Sequence, residues 1–398
     1  MNQMVEHKAR PQLILKGGKE KSIYRRHPWI FSGAVQKIVG EPAEGDLVDV
    51  YDSQYQYLAT GHYQPESIIV KILRLGNPAI DADFWRERIV SVLEYRKTLH
   101  LWNNTETNVF RLIHSEGDGL SGLIADYYNG VLVLQAHSEG MHRAFDELVP
   151  LFQELMGKNL VAVYDKSGAT LPHPVGTDHY CLGNVDGAWE IKEYGNRYLI
   201  RFPEAQKTGF FIDQRENRRL LSQFCRGKRV LNTFGYTGGF SVAALQGGAS
   251  YVETVDISKK AIQQCEENVA LNFPDAPHRG VTEDVLPYLT RLDQPFDVMV
   301  LDPPAFAKNH RSLQQGLKAY RHINQQALEK INPGGLLFTF SCSQAVSKED
   351  FRTMLFTAAA NAHRQVRMVS PLTQAADHPV SIYHPEGEYL KGWLLYVE

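Results

Sequence analysis

The chain has few cysteines and no long apolar run, and these absences exclude several classes of protein. Four cysteines lie far apart in 398 residues, with no C-x-x-C pair among them: Cys181, Cys225, Cys265 and Cys342. A disulfide framework and a zinc site are not expected, and the thiols should be free in a reducing compartment. No stretch approaches the ~20 apolar residues that span a bilayer, and the polar N-terminus has no apolar signal segment. We expect a cytoplasmic protein with no metal and no membrane segment.

The formal net charge is only −3, so overall composition gives no sign of a nucleic-acid partner. The charge is uneven, however, because residues 1–40 carry eight Lys or Arg against Glu6 and Glu20, with three aromatic residues among them. Cations suit phosphates, and aromatic rings stack on exposed bases. A solvated basic face explains the segment equally well. If the segment binds RNA, the expected contacts are Lys19, Arg25, Arg26 and Trp29.

Hydrophobic patterning divides the chain into three parts and predicts an α/β fold. Residues 1–76 have short apolar runs between Gly and Pro, which indicate a small β-rich domain. Residues 77–190 mix helical and strand patterns, as in an α+β domain. In residues 191–398 strands alternate with helices, which predicts a Rossmann-like, doubly wound parallel sheet. Its strands are expected at 228–234, 250–255, 297–302 and 335–341, with ligands bound at their carboxyl ends.

The first of these strands leads into a glycine-rich turn that indicates a nucleotide-type cofactor. The spacing Gly235-x-x-Gly238-Gly239 does not match the G-x-G-x-x-G fingerprint that holds a dinucleotide pyrophosphate. Asp256, at the end of the second strand, suits the two ribose hydroxyls, although a helix-capping role is the alternative. Asp284, after the third strand, suits the adenine amino group. The pattern favours S-adenosylmethionine over NAD.

The fourth and fifth strands each deliver a reactive side chain to the same edge of the sheet. Asp302 precedes Pro303 and Pro304, which make a rigid rim able to hold a planar base. Cys342 follows an apolar strand, whereas Cys225 and Cys265 fall at or within helical stretches, where a buried structural role is usual. Carbon 5 of cytosine becomes nucleophilic once a thiolate adds to carbon 6. Neighbouring groups should favour the Cys342 thiolate, because a free thiol titrates near ~8.5.

Ordered motifs along nearly the whole chain resemble the bacterial 23S rRNA (cytosine-5)-methyltransferases that carry an N-terminal PUA domain. The matching segments are 25–33 (RRHPWIFSG), 207–215 (KTGFFIDQR), 234–240 (FGYTGGF), 302–304 (DPP), 340–343 (FSCS) and 374–379 (QAADHP). The resemblance implies an RNA-binding PUA domain, a central α+β domain and a methyltransferase domain. It also implies that Cys342 is the nucleophile and that Asp302 lies beside the target base.

The same resemblance implies that residues 207–211 close over S-adenosylmethionine, although they also read as the lead-in to a helix near Ile212. The expected cofactor contacts are Lys207, Thr208, Gly209, Phe211, Asn232, Phe234, Tyr236, Thr237, Gly238, Asp256, Asp284 and Asp302. Residues 377–379 and Lys391 are placed near the active site, with an ordinary loop as the default interpretation.

Several alternatives remain open. Many related RNA enzymes carry a second cysteine after the Asp-Pro-Pro segment for product release, whereas this chain has Ala305 and Phe306, so the base that completes the reaction is unassigned. Methylation of guanine in rRNA is the nearest alternative function. A non-catalytic RNA-binding assembly factor is another, and an NAD-dependent oxidoreductase a more distant one. The expected partner is 23S rRNA, protein-free or partly assembled, and the sequence does not decide between a monomer and a homodimer.

Overall fold

The N-terminal part of the chain forms a six-stranded sheet in the computed structural model, which describes residues 10–171 and 178–398. The strand order is β2-β6-β5-β4-β1-β3, and only β1 and β4 pair in parallel. Alternate apolar residues such as Leu13, Val48 and Val70 are buried in its core, as the short apolar runs predicted. The elements are β1 (Gln12–Leu15), α1 (Lys21–Tyr24), β2 (Trp29–Phe31), β3 (Val35–Val39), β4 (Leu47–Tyr51), β5 (Tyr57–Tyr63) and β6 (Ile68–Leu75).

The next segment forms a five-stranded sheet, ordered β11-β10-β9-β8-β7, with helices packed against it. Ala144, with a ψ of −10°, separates two consecutive helices, α3 and α4. Ser138 caps the first of the two helices through its side chain. The elements are α2 (Ala82–Thr98), β7 (Val109–His114), β8 (Leu123–Tyr128), β9 (Val131–Ala136), α3 (Glu139–Arg143), α4 (Phe145–Met156), β10 (Ala162–Asp165) and β11 (His179–Leu182).

A two-stranded hairpin, β12 (Trp189–Glu193) and β13 (Asn196–Ile200), connects this part to the large sheet. Tyr194 and Gly195 form its turn with φ of 48° and 80°, and positive φ at both positions matches the twist of a tight hairpin. The boundary predicted between residues 190 and 191 falls inside β12, because this hairpin continues from the central part onto the helices of the large sheet.

The C-terminal part is a seven-stranded sheet with the order β16-β15-β14-β17-β18-β20-β19. The first five strands are parallel, and β20 runs antiparallel to both of its neighbours. All four strands predicted here are present. The elements are α5 (Arg215–Ser222), β14 (Arg229–Thr233), α6 (Gly239–Gln246), β15 (Tyr251–Asp256), α7 (Lys259–Asn272), β16 (His278–Thr282), α8 (Val285–Thr290), β17 (Phe296–Leu301), α9 (Leu313–Lys330), β18 (Ile331–Ser341), α10 (Lys348–Asn361), β19 (Val366–Thr373) and β20 (Lys391–Val397).

The topology of this sheet determines where a ligand can bind. The chain moves outward in opposite directions from β14 and β17, so a crevice opens at their carboxyl ends. Both strands are almost continuously buried, as expected when helices cover both faces of a parallel sheet. Within the described ranges, no helix is long and apolar enough to cross a membrane.

Candidate active site

The backbone of the turn after β14 packs closely against Thr254 and Cys265, which leaves no room for a side chain at Gly235 or Gly238. A Cβ added at Gly235 would lie 2.2 Å from Thr254 Cγ2, and one at Gly238 would lie 2.4 Å from Cys265 Sγ. Phe234, Tyr236 and Gly238 all have positive φ, of 54°, 44° and 83°, and such strain in non-glycine residues concentrates at functional sites. The turn therefore keeps its backbone in a shape that its own sequence does not favour.

Two buried polar atoms, one near the end of β14 and one in the turn after it, have no hydrogen-bond partner within the described residues. These atoms are Asn232 Oδ1 and Thr237 Oγ1. Asn232 Nδ2 is fixed by donating to Ser241 Oγ at 2.9 Å. Asp256 accepts backbone bonds from Tyr236 N at 3.0 Å and Ser258 N at 2.9 Å. Ser258 itself caps α7, so the capping alternative for Asp256 is wrong. Neutral polar atoms with one carboxylate suit an adenosyl group with its ribose.

Residues 207–211 approach the same turn from the opposite side. Gln206 N donates to the Tyr236 hydroxyl at 2.9 Å, and the rings of Phe211 and Tyr236 lie 5.3 Å apart. Gly209 has a φ of 154°, in a region that side chains strongly disfavour. Thr208 is different, because its hydroxyl is held by Asp126 at 2.6 Å and the Tyr128 hydroxyl at 2.9 Å. Thr208 thus ties this segment to the central sheet.

Three predicted cofactor contacts are exposed: Lys207, Phe211 and Asp284. Lys207 is exposed, with a φ of 52°. Asp284 is exposed, and its carboxylate caps α8 by accepting from Leu286 N at 2.9 Å. The adenine contact expected of Asp284 therefore has a competing role as a helix cap and stays a prediction.

Asp302 and Cys342 follow the adjacent parallel strands β17 and β18, so the sheet brings them together. Cys342 Sγ lies 3.9 Å from the Pro303 carbonyl oxygen. Gln214 Nε2 donates to Asp302 Oδ1 at 3.1 Å, and Asn217 fixes the Gln214 amide by donating to its Oε1 at 2.6 Å. Burial raises the pKa of Asp302 to about 7, and the neighbouring Asp213 adds to the rise. A carboxyl group with a pKa near 7 is partly protonated at neutral pH, so Asp302 is suited both to donate and to accept a proton.

The expectation that neighbouring groups favour the Cys342 thiolate is wrong for this site without bound substrate. Burial, together with the charges of Asp302 and Asp213, raises the pKa of the Cys342 thiol to about 11. Lys391 opposes this, because its ammonium group lowers the thiol pKa. Lys391 Nζ donates to the carbonyls of Ser343 at 2.8 Å and Tyr389 at 2.9 Å, and burial lowers its own pKa to about 8.

Comparison with known proteins assigns this chain to a protein family. A family model described as S-adenosylmethionine-dependent methyltransferase matches residues 110–381, and a PUA-like domain model matches residues 13–75. The chain belongs to this methyltransferase family. Its cofactor is S-adenosylmethionine, as predicted, and the fold class is also confirmed.

Relatives of this methyltransferase match nearly end to end. Ribosomal RNA large subunit methyltransferase I of Shigella boydii is 38% identical over 393 residues, which are 96% of this chain and 98% of the relative. The enzyme of that name in Erwinia tasmaniensis is 37% identical over 392 residues, with 96% and 98% coverage. A Streptococcus mutans SAM-dependent methyltransferase structure has a TM-score of 0.83 at 21% identity, and the SMU.776 methyltransferase complexed with SAH has 0.84 at 22%. Each covers 97% of this chain and 99% of its own, which supports the fold.

Sequence reasoning about the methyltransferase missed several groups that surround Cys342. Asp213 and Gln214 belong to the 207–215 motif, but their charges and hydrogen bonds were not anticipated. Tyr389 donates its hydroxyl to Asp213 Oδ2 at 2.7 Å. A tyrosine two residues before a lysine, at 389 and 391, was the available signal, and it is weak in sequence alone.

Residues 377–379 support the site rather than line it. The Asp377 carboxylate is paired with the Arg215 guanidinium through bonds of 2.9 and 3.0 Å. Burial opposes ionisation of Asp377, but Arg215 and His378 hold the pKa of its carboxyl far below the usual range. Lys391, by contrast, lies near Cys342 as the motif comparison implied.

The predicted RNA contacts fall into two groups. Lys19, Arg25 and Arg26 are exposed, and the Arg26 guanidinium lies 5.9 Å from the Tyr383 ring centroid. Trp29 is only partly exposed, because its indole Nε1 donates to Glu116 Oε1 at 2.8 Å and its ring lies 4.3 Å from that of His384. Trp29 therefore joins the N-terminal sheet to the central sheet and the C-terminal part, and its contact with RNA stays a prediction.

Elsewhere in the described ranges, one group brings metal-ligand atoms together. Donor atoms of Asp165, His179 and Cys181 lie within 4.8 Å of one another. Asp165 already contacts His142 Nε2 at 2.8 Å and accepts from Ser167 N at 2.9 Å. These partners account for the position of the carboxylate.

Proposed function

We propose that this methyltransferase transfers a methyl group to carbon 5 of a cytosine in 23S rRNA through a covalent bond to Cys342. The observation that carries the proposal is the placement of a thiol and a carboxyl group of raised pKa at the ends of neighbouring strands. Methylation of a ring nitrogen or an exocyclic amine needs no such thiol. The names of the full-length relatives support ribosomal RNA of the large subunit as the substrate.

The rim around Cys342 is suited to the Watson–Crick edge of cytosine. Asp302 with its proton is a donor for N3, and the Pro303 carbonyl is an acceptor for the exocyclic amino group. The Pro303 carbonyl oxygen lies near Cys342 Sγ, at 3.9 Å, so a base held there has carbon 6 near the thiol. Uracil has a proton at N3 and an oxygen in place of the amino group, so it would meet two mismatched contacts.

The covalent step follows from this placement. The Cys342 thiolate bonds to carbon 6, the ring electrons shift to a carbon 4–carbon 5 double bond, and N3 takes the proton of Asp302. Carbon 5 then takes the methyl group, with S-adenosylhomocysteine as the leaving group, and N3 returns its proton to Asp302. Lys391 stabilises the thiolate electrostatically, since it lowers the thiol pKa.

The cofactor is held by the unpartnered atoms near the end of β14 and in the turn after it. Asn232 and Thr237 supply a buried oxygen each, Asp256 faces the ribose, and Phe211 with Tyr236 excludes water. Bound S-adenosylmethionine supplies the methyl group. The exposed cations Lys19, Arg25 and Arg26 of the PUA-like domain hold flanking RNA and offset the few kcal/mol that unstacking of the target base costs.

The proposal is tested with labelled S-adenosylmethionine and unmodified 23S rRNA, followed by nucleoside chromatography. We expect label in 5-methylcytidine with the wild-type chain and with Cys181→Ala, a cysteine of the central sheet, and none with Cys342→Ala. Label in a methylguanosine that persists in Cys342→Ala would refute the cysteine mechanism. Naked rRNA should be a better substrate than mature subunits, because the base must be extracted from its surroundings.

A further inference from the structure

An unpaired carboxylate oxygen lies beside the proposed catalytic pair. Asp213 is in the short 3₁₀ turn Ile212–Gln214 that precedes α5. Its Oδ2 accepts the Tyr389 hydroxyl at 2.7 Å, whereas its Oδ1 is buried and lacks a partner in the part of the chain that the structure describes. A buried carboxylate oxygen without a hydrogen bond is costly. The Asp213 side chain is therefore held in place at one oxygen and left open at the other.

The open carboxylate belongs to the site of Cys342. The charge of Asp213 acts on both Asp302 and the Cys342 thiol, and it raises the pKa of each. The two carboxyl groups have different neighbours: the Gln214 amide donates to Asp302, while a hydroxyl donates to Asp213. Nearby carboxyl groups in unlike surroundings commonly divide the roles of acid and base.

We propose that Asp213 Oδ1 is the base that removes the carbon 5 proton after methyl transfer. This inference rests on the proposed function, because the carbon 5 proton has to leave only where the methyl group is transferred to carbon 5. Asp213 takes the proton, the electrons of the carbon 5–hydrogen bond form the carbon 5–carbon 6 double bond, and the carbon 6–sulfur bond breaks. The sulfur of Cys342 keeps its electron pair and leaves as thiolate.

The other groups around Cys342 are already used. Lys391 Nζ donates to two backbone carbonyls, and its ammonium form stabilises the thiolate in the proposed function. Asp302 holds the base edge in the proposed function. Ala305 and Phe306 stand where related enzymes have a release cysteine, and neither can act as a base. Asp213 is the carboxylate of this cluster that has an acceptor atom to spare.

The test separates release of the product from formation of the adduct. The full-length chain is incubated with a 23S rRNA transcript and methyl-labelled S-adenosylmethionine, and covalent complexes are resolved on denaturing gels. Asp213→Asn keeps an acceptor for the Tyr389 hydroxyl but has no basic oxygen. We expect it to accumulate a labelled RNA–protein adduct and to slow its release about 100-fold or more, the usual contribution of a general base. The exposed Asp275 provides the matched control, Asp275→Asn, with wild-type release.

A second substrate keeps the result interpretable. With a transcript containing 5-fluorocytidine, carbon 5 carries no removable proton, so the wild type and Asp213→Asn should form equal amounts of adduct. Normal release by Asp213→Asn from the ordinary transcript would overturn the assignment. Loss of adduct from the fluorinated transcript would also overturn it, because Asp213 would then act before release. Absence of both 5-methylcytidine and adduct with the wild-type chain would instead refute the proposed function itself.

Tyr389→Phe provides a second variant in case Asp213→Asn does not fold. It removes only the hydroxyl that positions Asp213, so it should accumulate the same adduct more weakly. Unchanged release of the product by Tyr389→Phe would count against the assignment.

Discussion

Replacing Asp377 with alanine should destabilise the methyltransferase strongly, because it leaves a buried guanidinium group without its counterion. The side chains of Asp377 and Arg215 are 0% and 2% exposed. Two bonds of 2.9 and 3.0 Å join them, and Asp377 Oδ2 also accepts from Arg111 N at 2.9 Å. Arg111 is in β7 of the central sheet and Arg215 begins α5, so one carboxylate connects both parts.

The magnitude follows from burial. Breaking a buried pair by removing one partner costs about 3–5 kcal/mol, whereas surface pairs contribute about 0–1 kcal/mol. Arg215 keeps one other carboxylate contact, to Glu216 Oε1 at 3.0 Å, on a side chain that is 45% exposed. That contact offsets little of the loss. Arg111 N also loses its acceptor, and we take that cost to be included in the same range. We therefore expect the free energy of unfolding to fall by about 3–5 kcal/mol in Asp377→Ala.

Urea unfolding followed by fluorescence measures this loss, and a double-mutant cycle isolates the pair. Arg215→Met alone should also be costly, and Arg215→Met with Asp377→Ala should be less destabilised than the sum of the two, because no charge is then left buried. The depressed pKa of Asp377 gives a second check. The stability it confers is complete above about pH 4, the pKa of an unfolded Asp, and is lost as pH falls further toward the folded pKa. A cost below 1 kcal/mol for Asp377→Ala, or strict additivity, would refute the reasoning.

Three further predictions concern the site and its approach. Lys391→Met removes the cation near Cys342, so alkylation of that thiol by iodoacetamide at pH 8 should slow about 3- to 10-fold, measured by peptide mass spectrometry; unchanged alkylation would exclude the electrostatic role. Thr237→Val removes an unpartnered hydroxyl at nearly constant volume and should weaken S-adenosylmethionine binding about 3- to 10-fold by calorimetry, without lowering the unfolding midpoint. Arg26→Ala should weaken RNA binding equally for all sequences and reduce the salt slope by about one unit; an unaltered slope would contradict a phosphate contact.

The large sheet and the positions of Asp302 and Cys342 were accessible from sequence for one physical reason. Buried parallel strands are apolar along their whole length, so β17 and β18 stand out in the sequence, and the residues after them must lie at the ligand-binding edge. The glycines at 235 and 238 were also informative, because close approach of the backbone to Thr254 and Cys265 excludes a side chain.

The electrostatics of the site were not accessible in the same way. The raised pKa of Cys342 comes first from burial and then from the charges of Asp302 and Asp213, which are 40 and 129 residues earlier in the sequence. The contacts of Trp29 with Glu116 and His384 were likewise not foreseen from the sequence. Such pairings come from the packing of distant elements, and no local pattern encodes them.

The segment between β19 and β20 connects these separate features. Asp377 pairs with Arg215, His384 packs on Trp29 of the N-terminal sheet, and Tyr389 holds Asp213 beside the proposed target base. Lys391 follows directly as the first residue of β20. RNA that displaced His384 from Trp29 would therefore act on the same short segment that positions Asp213, the proposed proton acceptor. If this connection operates, Trp29→Ala should slow release of the methylated product as well as weaken RNA binding. A change in RNA affinity alone, with the release rate unaltered in single-turnover assays, would show that the segment transmits nothing between the two sites.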